Sequence, residues 1–217
     1  MDQALFFTFE GGEGGGKSTQ AKLLYDWMVS RNIPCEITKE PGTNHVEECI
    51  QIRELVLNPK YNLVPSAELL LFLADRAQHI ERFIKPTLEK GIHVICDRFS
   101  DSTRVYQSSR GLNKRIVDQL VDFATGGLKP DVTFLLDVPV AVGLDRAKAK
   151  SVYKEGDRME MAGSKFHEAV RHGFLKLAES LDDGIRWKVI NAAPPKDISE
   201  VHKEVVEYVS QKLWFKE

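Results

Sequence analysis

Eight residues constrain this chain more than any others: Gly11-Gly12-Glu13-Gly14-Gly15-Gly16-Lys17-Ser18. They follow a short apolar run at 5–9 and precede a helical pattern from Lys17 to about residue 30. The pattern is G-x-x-x-x-G-K-[ST] in the strand–loop–helix setting that gives it meaning. Glycines let the backbone curl so that successive N–H groups converge on phosphate oxygens. The positive end of the following helix adds to that field. Lys17 is placed to reach β- and γ-phosphates, and Ser18 to ligate Mg2+. The plain alternative is a flexible glycine-rich turn. A G-x-x-x-x-G-K-[ST] loop does not by itself separate a kinase from a GTPase or a motor. No N-K-x-D guanine-reading motif occurs, which disfavours a GTPase. Glu13 puts a carboxylate inside a loop built for anions, so it is expected to face a substrate hydroxyl or, failing that, solvent.

Such a loop demands a parallel sheet behind it, and the rest of the chain supplies one. Short apolar runs at 35–38, 92–96, 132–136 and 187–190 alternate with longer helical patterns. Pro65 opens a long helix with the stripe Leu69, Leu73, Ala77, Ile80, Ile84 and Leu88, and Pro86 is expected to kink it. A further helix is expected at 45–57, and a last amphipathic one carries Ile198, Val201, Val205, Val206 and Val209. Strands separated by helices predict an α/β fold, a five-stranded parallel sheet flanked by helices. With 217 residues, one domain is expected, with a mobile lid at about 146–160. Ligands in such sheets sit at the C-terminal ends of the strands.

Those ends carry the remaining candidates. Phe72 and Arg76 lie four apart on the long helix and share a face. An aromatic ring there can stack on a base, and the guanidinium can donate to a base carbonyl. Equally, Phe72 can be core, and Arg76 can pair with Asp75 or Glu81 at the surface. Asp97 and Arg98 close the third strand. Asp97 can support a Mg2+ shell, and Arg98 has the planar fork suited to phosphate. A structural ion pair is the alternative for both.

The run Glu68-Leu69-Leu70-Leu71-Phe72-Leu73-Ala74-Asp75-Arg76-Ala77-Gln78-His79, then Ile84-Lys85-Pro86, then Val94-Ile95-Cys96-Asp97-Arg98-Phe99-Ser100-Asp101-Ser102-Thr103 with Tyr106-Gln107, resembles bacterial thymidylate kinases. With the phosphate loop, the likeness is nearly continuous from about residue 5 to 112 and resumes more loosely through the lid and final strand. The resemblance implies a P-loop nucleoside monophosphate kinase fold and transfer of the ATP γ-phosphoryl group to dTMP, giving dTDP and ADP for dTTP synthesis, with Mg2+. It implies that Gly11, Gly12, Glu13, Gly14, Gly15, Gly16, Lys17, Ser18 and Thr19 hold ATP, with Arg146 against the adenine beside the turn at 191–195. It places Phe72 under thymine, Arg76 at its O4, Thr103 near N3 with Gln107 beside it, and Tyr106 beneath the deoxyribose. Glu13 serves the 3'-hydroxyl side, and Arg53 and Arg98 hold the acceptor phosphate. Lys17, Arg98 and a lid arginine, Arg158, are the expected catalytic cations, with Ser18 and Asp97 at the metal. The resemblance also implies a homodimer packed through helices.

The chain departs from the family pattern in two places. Lys148 and Lys150 stand where two lid arginines are usual, and the stretch Lys39-Glu40-Pro41-Gly42-Thr43 lacks one glycine of R-E-P-G-G-T.

Composition removes other classes. A net charge of -2 argues against a duplex nucleic-acid binder. Three cysteines without CxxC spacing argue against a disulfide framework or a zinc site, and point to buried thiols in a reducing cytoplasm. No apolar run reaches transmembrane length and no secretory signal is expected. Two rivals remain: a kinase for another monophosphate, and a P-loop regulator that binds nucleotide without turnover.

Overall fold

The computed structural model describes residues 3–149, 157–180 and 186–214. Five parallel strands form one sheet in the order β2-β3-β1-β4-β5: β1 Phe6–Glu10, β2 Cys35–Lys39, β3 His93–Asp97, β4 Val132–Asp137 and β5 Trp187–Asn191. Each expected strand is present, extended by a residue at its C-terminal end into Glu10, Lys39, Asp97, Asp137 and Asn191. Both faces of the central strand are buried, which is why its sequence is a continuous apolar run. Phe7 and Phe9 point to one face, where α1 (Lys17–Val29) and α9 (Ile198–Trp214) cover them with Leu24, Met28, Val205 and Val209. On the opposite face Phe6, Val94 and Cys96 meet Ile80, Ile84 and Phe99. The thiols of Cys35, Cys49 and Cys96 are all free and buried.

The long helix opened by Pro65 is three pieces. An α-helix, α3, runs Pro65–His79, a π-helical turn runs Ile80–Ile84, and a short α4 runs Lys85–Glu89. The departure therefore begins upstream of Pro86. A proline ring clashes with the carbonyl four residues back, here that of Arg82, and the wider π turn relieves that clash while the axis continues. Helix α2 spans Glu47–Leu57, two residues shorter at its start than its pattern suggests. Between β3 and β4 lie α5 (Ser100–Ser109) and α6 (Lys114–Thr125); α6 carries the apolar stripe Val117, Leu120, Val121 and Ala124, which sequence reasoning missed. After β4 come α7 (Val140–Lys148) and α8 (Ser164–Ser180). Arg146 and Lys148 thus belong to a helix, while Lys150 and the centre of the expected lid lie outside the described residues.

Candidate active site

The phosphate loop is held in shape by close backbone approaches. Gly11, at φ +135°, lies so near β4 that a Cβ would sit 2.6 Å from the Leu136 carbonyl oxygen. Gly14 and Gly143 of α7 meet face to face: a Cβ on Gly143 would sit 2.3 Å from the Glu13 carbonyl oxygen. Gly16, left-handed at φ +91°, starts α1 directly behind the loop. Lys17 is buried and its Nζ donates to the Gly12 carbonyl at 2.6 Å. Burial, then Arg98, lower its ammonium to about 8, against the pull of Glu13, Asp97 and Glu10. Bound phosphates would bring countercharge to this ammonium.

Ser18 Oγ donates to Asp97 Oδ2 across the loop. The other Asp97 oxygen is buried and has no hydrogen-bond partner. Two hard oxygen groups, one with an unmet acceptor, suit a Mg2+ ion that keeps most of its shell for water and phosphate. Among the described residues no group of three or more His, Cys, Asp or Glu gathers as an all-protein metal site.

Arg98 is the hub between the loop and the other half of the cleft. Its backbone takes the left-handed conformation at φ +69°, which turns the side chain back across the end of β1. Its Nη1 donates to the Gly11 carbonyl at 3.0 Å and to Ser102 Oγ at 3.1 Å. Its Nη2 donates to Glu13 Oε1 at 2.8 Å. Tyr106 Oη donates to that same oxygen at 2.7 Å. Burial alone would raise the Glu13 carboxyl, but Arg98, Lys17 and Tyr106 outweigh it and hold it at about 2. Glu13 therefore answers the arginine as well as facing the cleft. Sequence reasoning missed Glu10, fully buried beneath this hub. It accepts from Phe99 N at 2.8 Å and Ser102 N at 3.2 Å, so it caps α5 from the neighbouring strand.

At the far end, α3 and α5 build a pocket. Arg76 is buried and paired with neither Asp75 nor Glu81. Its Nε donates to Glu40 Oε2 at 2.8 Å, its Nη1 to Thr103 Oγ1 at 2.8 Å, and its Nη2 to the Phe99 carbonyl at 3.0 Å. Phe72 is half-buried and lines the cleft beside Arg76 and Thr103. Gln107 Nε2 donates to Glu68 Oε1 at 2.9 Å. Arg53 reaches the loop at residues 39–43, where its Nη1 donates to the Pro41 carbonyl at 2.7 Å and its stem crosses Gly42 so closely that a Cβ there would lie 2.4 Å from Arg53 Cβ. The shortened loop thus folds under Arg53, with Gly42 in the left-handed region at φ +79°.

Arg158 is placed elsewhere than expected. It stands 2.8 Å from Glu68 Oε2, its Nη1 donates to the Val56 carbonyl at 2.9 Å, and its own N–H bonds the Leu57 carbonyl. Glu68 is wholly buried and also holds Arg110 at 2.8 Å, so it gathers two arginines. Releasing Arg158 would strand buried charge, and in this arrangement it braces α2 against α3. Arg146, by contrast, lies where the adenine end was expected. Its Nη1 donates to the Ala192 carbonyl at 3.3 Å, in the turn after β5.

One cleft of about 970 Å³ joins these parts. The loop residues Glu13 to Thr19 line it, as do Arg53, Phe72, Arg98, Tyr106 and Arg146; Arg158 is not among the described residues that do. The cleft thus runs from the phosphate loop to α3, and Arg98 is among the residues that line it. No described helix is long and apolar enough to cross a membrane.

Comparisons agree with this geometry. A family model described as "Thymidylate kinase" matches residues 9–205. A protein named thymidylate kinase from Carboxydothermus hydrogenoformans is 48% identical over 174 residues, covering 80% of this chain and 83% of its own. Another from Syntrophus aciditrophicus is 41% identical over 212 residues, covering 95% and 94%. The crystal structure of thymidylate kinase from Ehrlichia chaffeensis superposes with a TM-score of 0.73 at 32% identity, covering 96% of this chain and 99% of that one. A family match along nearly the whole chain, with a phosphate loop, an arginine hub and the α3–α5 end sharing one cleft, leads to one conclusion: the chain belongs to the thymidylate kinases.

Proposed function

We propose that this chain transfers the γ-phosphoryl group of ATP to the 5'-phosphate of dTMP, giving dTDP and ADP. The observation that carries the reading is the single step from Asp97 to Arg98. Asp97 turns to Ser18 on the donor side, and Arg98 turns to Glu13 and Tyr106 on the acceptor side. The loop amides and Lys17 hold the donor phosphates, and Arg98 and Arg53 hold the acceptor phosphate. The acceptor is already an anion at neutral pH, so no side chain has to remove a proton. Positioning and charge stabilisation supply the rate. Mg2+, when bound, would neutralise charge on the donor phosphates, with Ser18 and Asp97 as the protein oxygens nearest to it. Phe72 offers a stacking face to the base, Arg76 a donor to its 4-oxo group, and Thr103 and Gln107 the pocket wall. Tyr106 and Glu13 bound the sugar. Arg146 and the turn after β5 take the adenine. We assign the cations of the chemical step to Lys17 and Arg98, and give Arg158 a bracing role.

We also propose a homodimer, packed through the helices that carry Leu70, Ile116 and Phe123. These large apolar side chains are exposed on α3 and α6, Phe123 by 86%.

A coupled ADP-release assay with ATP-Mg and dTMP, dUMP, dCMP, UMP or AMP tests the reading. Strong preference for dTMP is expected. Turnover centred on another monophosphate overturns the base assignment while keeping the chemistry. Nucleotide binding without turnover on any of the five overturns the kinase reading and favours a regulator.

A further inference from the structure

Arg76 is more constrained than a base-contacting arginine needs to be. A guanidinium has five N–H donors. Glu40 Oε2 grips the edge formed by Nε at 2.8 Å and Nη2 at 2.7 Å. The Phe99 carbonyl takes a second Nη2 hydrogen and Thr103 takes one from Nη1. These contacts leave one Nη1 hydrogen uncommitted, and Arg76 is among the residues that line the cleft. The Phe99 ring lies 5.4 Å from the guanidinium carbon and closes off a third direction.

Glu40 is itself held. Its Oε1 lies 2.9 Å from His79 Nδ1, and His79 Nε2 lies 2.8 Å from Thr38 Oγ1, which in turn meets Thr43 Oγ1 at 2.8 Å. Glu40, His79, Thr38 and Thr43 are all buried. Burial works against charge on Glu40, but Arg76 and His79 outweigh it and hold the carboxyl below its usual range. The result is a guanidinium whose plane is fixed from behind by an anion that cannot itself turn.

We propose that Glu40 is the positioning residue that fixes Arg76 and thereby sets the preference for a 4-oxo over a 4-amino pyrimidine; this rests on the function proposed above. The chemistry is one of matched polarity. An arginine only donates, so a 4-oxo group completes its last hydrogen bond. A 4-amino group presents another donor, and a guanidinium that cannot rotate leaves both unmet. A site built around a fixed polar partner rejects the wrong analogue far more strongly than an apolar pocket does. Without the charge on Glu40, Arg76 loses the grip on its Nε–Nη2 edge and can turn in its plane, so the penalty against an amino group falls.

The test compares kcat and KM for dTMP and dCMP at saturating ATP-Mg in the full-length wild type, Glu40→Gln and Arg76→Lys. Glu40→Gln keeps side-chain size and removes the charge. It should raise KM for dTMP about tenfold, change kcat for dTMP less than threefold, and cut the dTMP-to-dCMP ratio of kcat/KM by about tenfold. A purely structural role would lower active enzyme for both acceptors alike and leave the ratio unmoved, which overturns the proposal. If Arg76→Lys lowers the ratio while Glu40→Gln does not, Arg76 reads the base and Glu40 does not position it. If neither variant moves the ratio, the base assignment itself falls. Should Glu40→Gln fail to fold, Glu40→Asp decides, because it keeps the charge and shortens its reach to Arg76; an unchanged ratio there overturns the proposal as well.

Discussion

Arg158 has its partners far away in sequence. The basic run at 146–158 pointed to a phosphate-facing cation, but the buried Glu68, on another helix, captures it. Arg158→Ala should leave single-turnover phosphoryl transfer within about threefold of wild type, because no interaction made only in the transition state is removed. It should also destabilise the fold by about 2 kcal/mol or more, since Glu68 then keeps Arg110 as its cation in a buried site and loses the partner at Oε2. Rapid-quench kinetics and urea unfolding separate the two effects. A 100-fold loss in the chemical step would return Arg158 to the phosphates. Glu10 gives a second prediction. Burial, then Asp101, push its carboxyl up to about 7 although Ser102, Arg98 and Phe99 pull the other way. Between its ordinary range near 4.5 and 7 the folded chain holds a proton that the unfolded chain has lost, so Glu10 makes stability fall as pH rises through that window. Glu10→Gln should flatten the fall, read as the difference in urea midpoint between pH 5 and pH 7.5. An unchanged slope would show that Glu10 is not its source. Glu40 and Glu68 were invisible as positioning groups in the sequence because their partners Arg76 and Gln107 lie 36 and 39 residues away.

At the scale of elements, the five strands were legible because a strand buried on both faces must be apolar throughout. Helix α5 was not, because most of its buried residues are polar: Asp101, Ser102, Thr103 and Gln107 turn inward to Arg186, Glu10, Arg76 and Glu68. A helix whose inner face serves a site carries no apolar stripe to find. The same holds for the seat of α7 on the phosphate loop, which depends on two glycines far apart in sequence. Gly143→Ala would place a methyl group 2.3 Å from the Glu13 carbonyl oxygen. Backbone on both sides cannot yield cheaply, so the loop must shift. A cost of roughly 1–3 kcal/mol is expected, seen as a rise of about tenfold or more in the dissociation constant for ATP-Mg by calorimetry. Unchanged ATP affinity would mean that α7 moves away and the loop does not depend on its seat.

Over the whole molecule, sheet order places β1 at the centre, with β3 on one side and β4 on the other. The phosphate loop leaves β1, Asp97 and Arg98 stand at the end of β3, and Arg146 meets the turn after β5. Alternating strands and helices announced a parallel sheet, whereas the order of its strands is a property of crossovers that no local pattern encodes. The apolar side chains left outside this architecture bear on assembly. Phe123→Glu puts a charge at the most exposed of them and should turn a dimer into a monomer by light scattering on a sizing column, with the melting temperature of the chain lowered. A monomeric wild type would remove the dimer proposal. The adjacency of Asp97 and Arg98 has a mechanical meaning. On the proposed reading, donor and acceptor are surveyed from a single benchmark, the peptide that leaves β3, so a drift of that strand within the sheet carries both reference points together. The spacing between the reacting groups is then insulated from the breathing of the scaffold, and the base pocket is free to be retuned without resetting it.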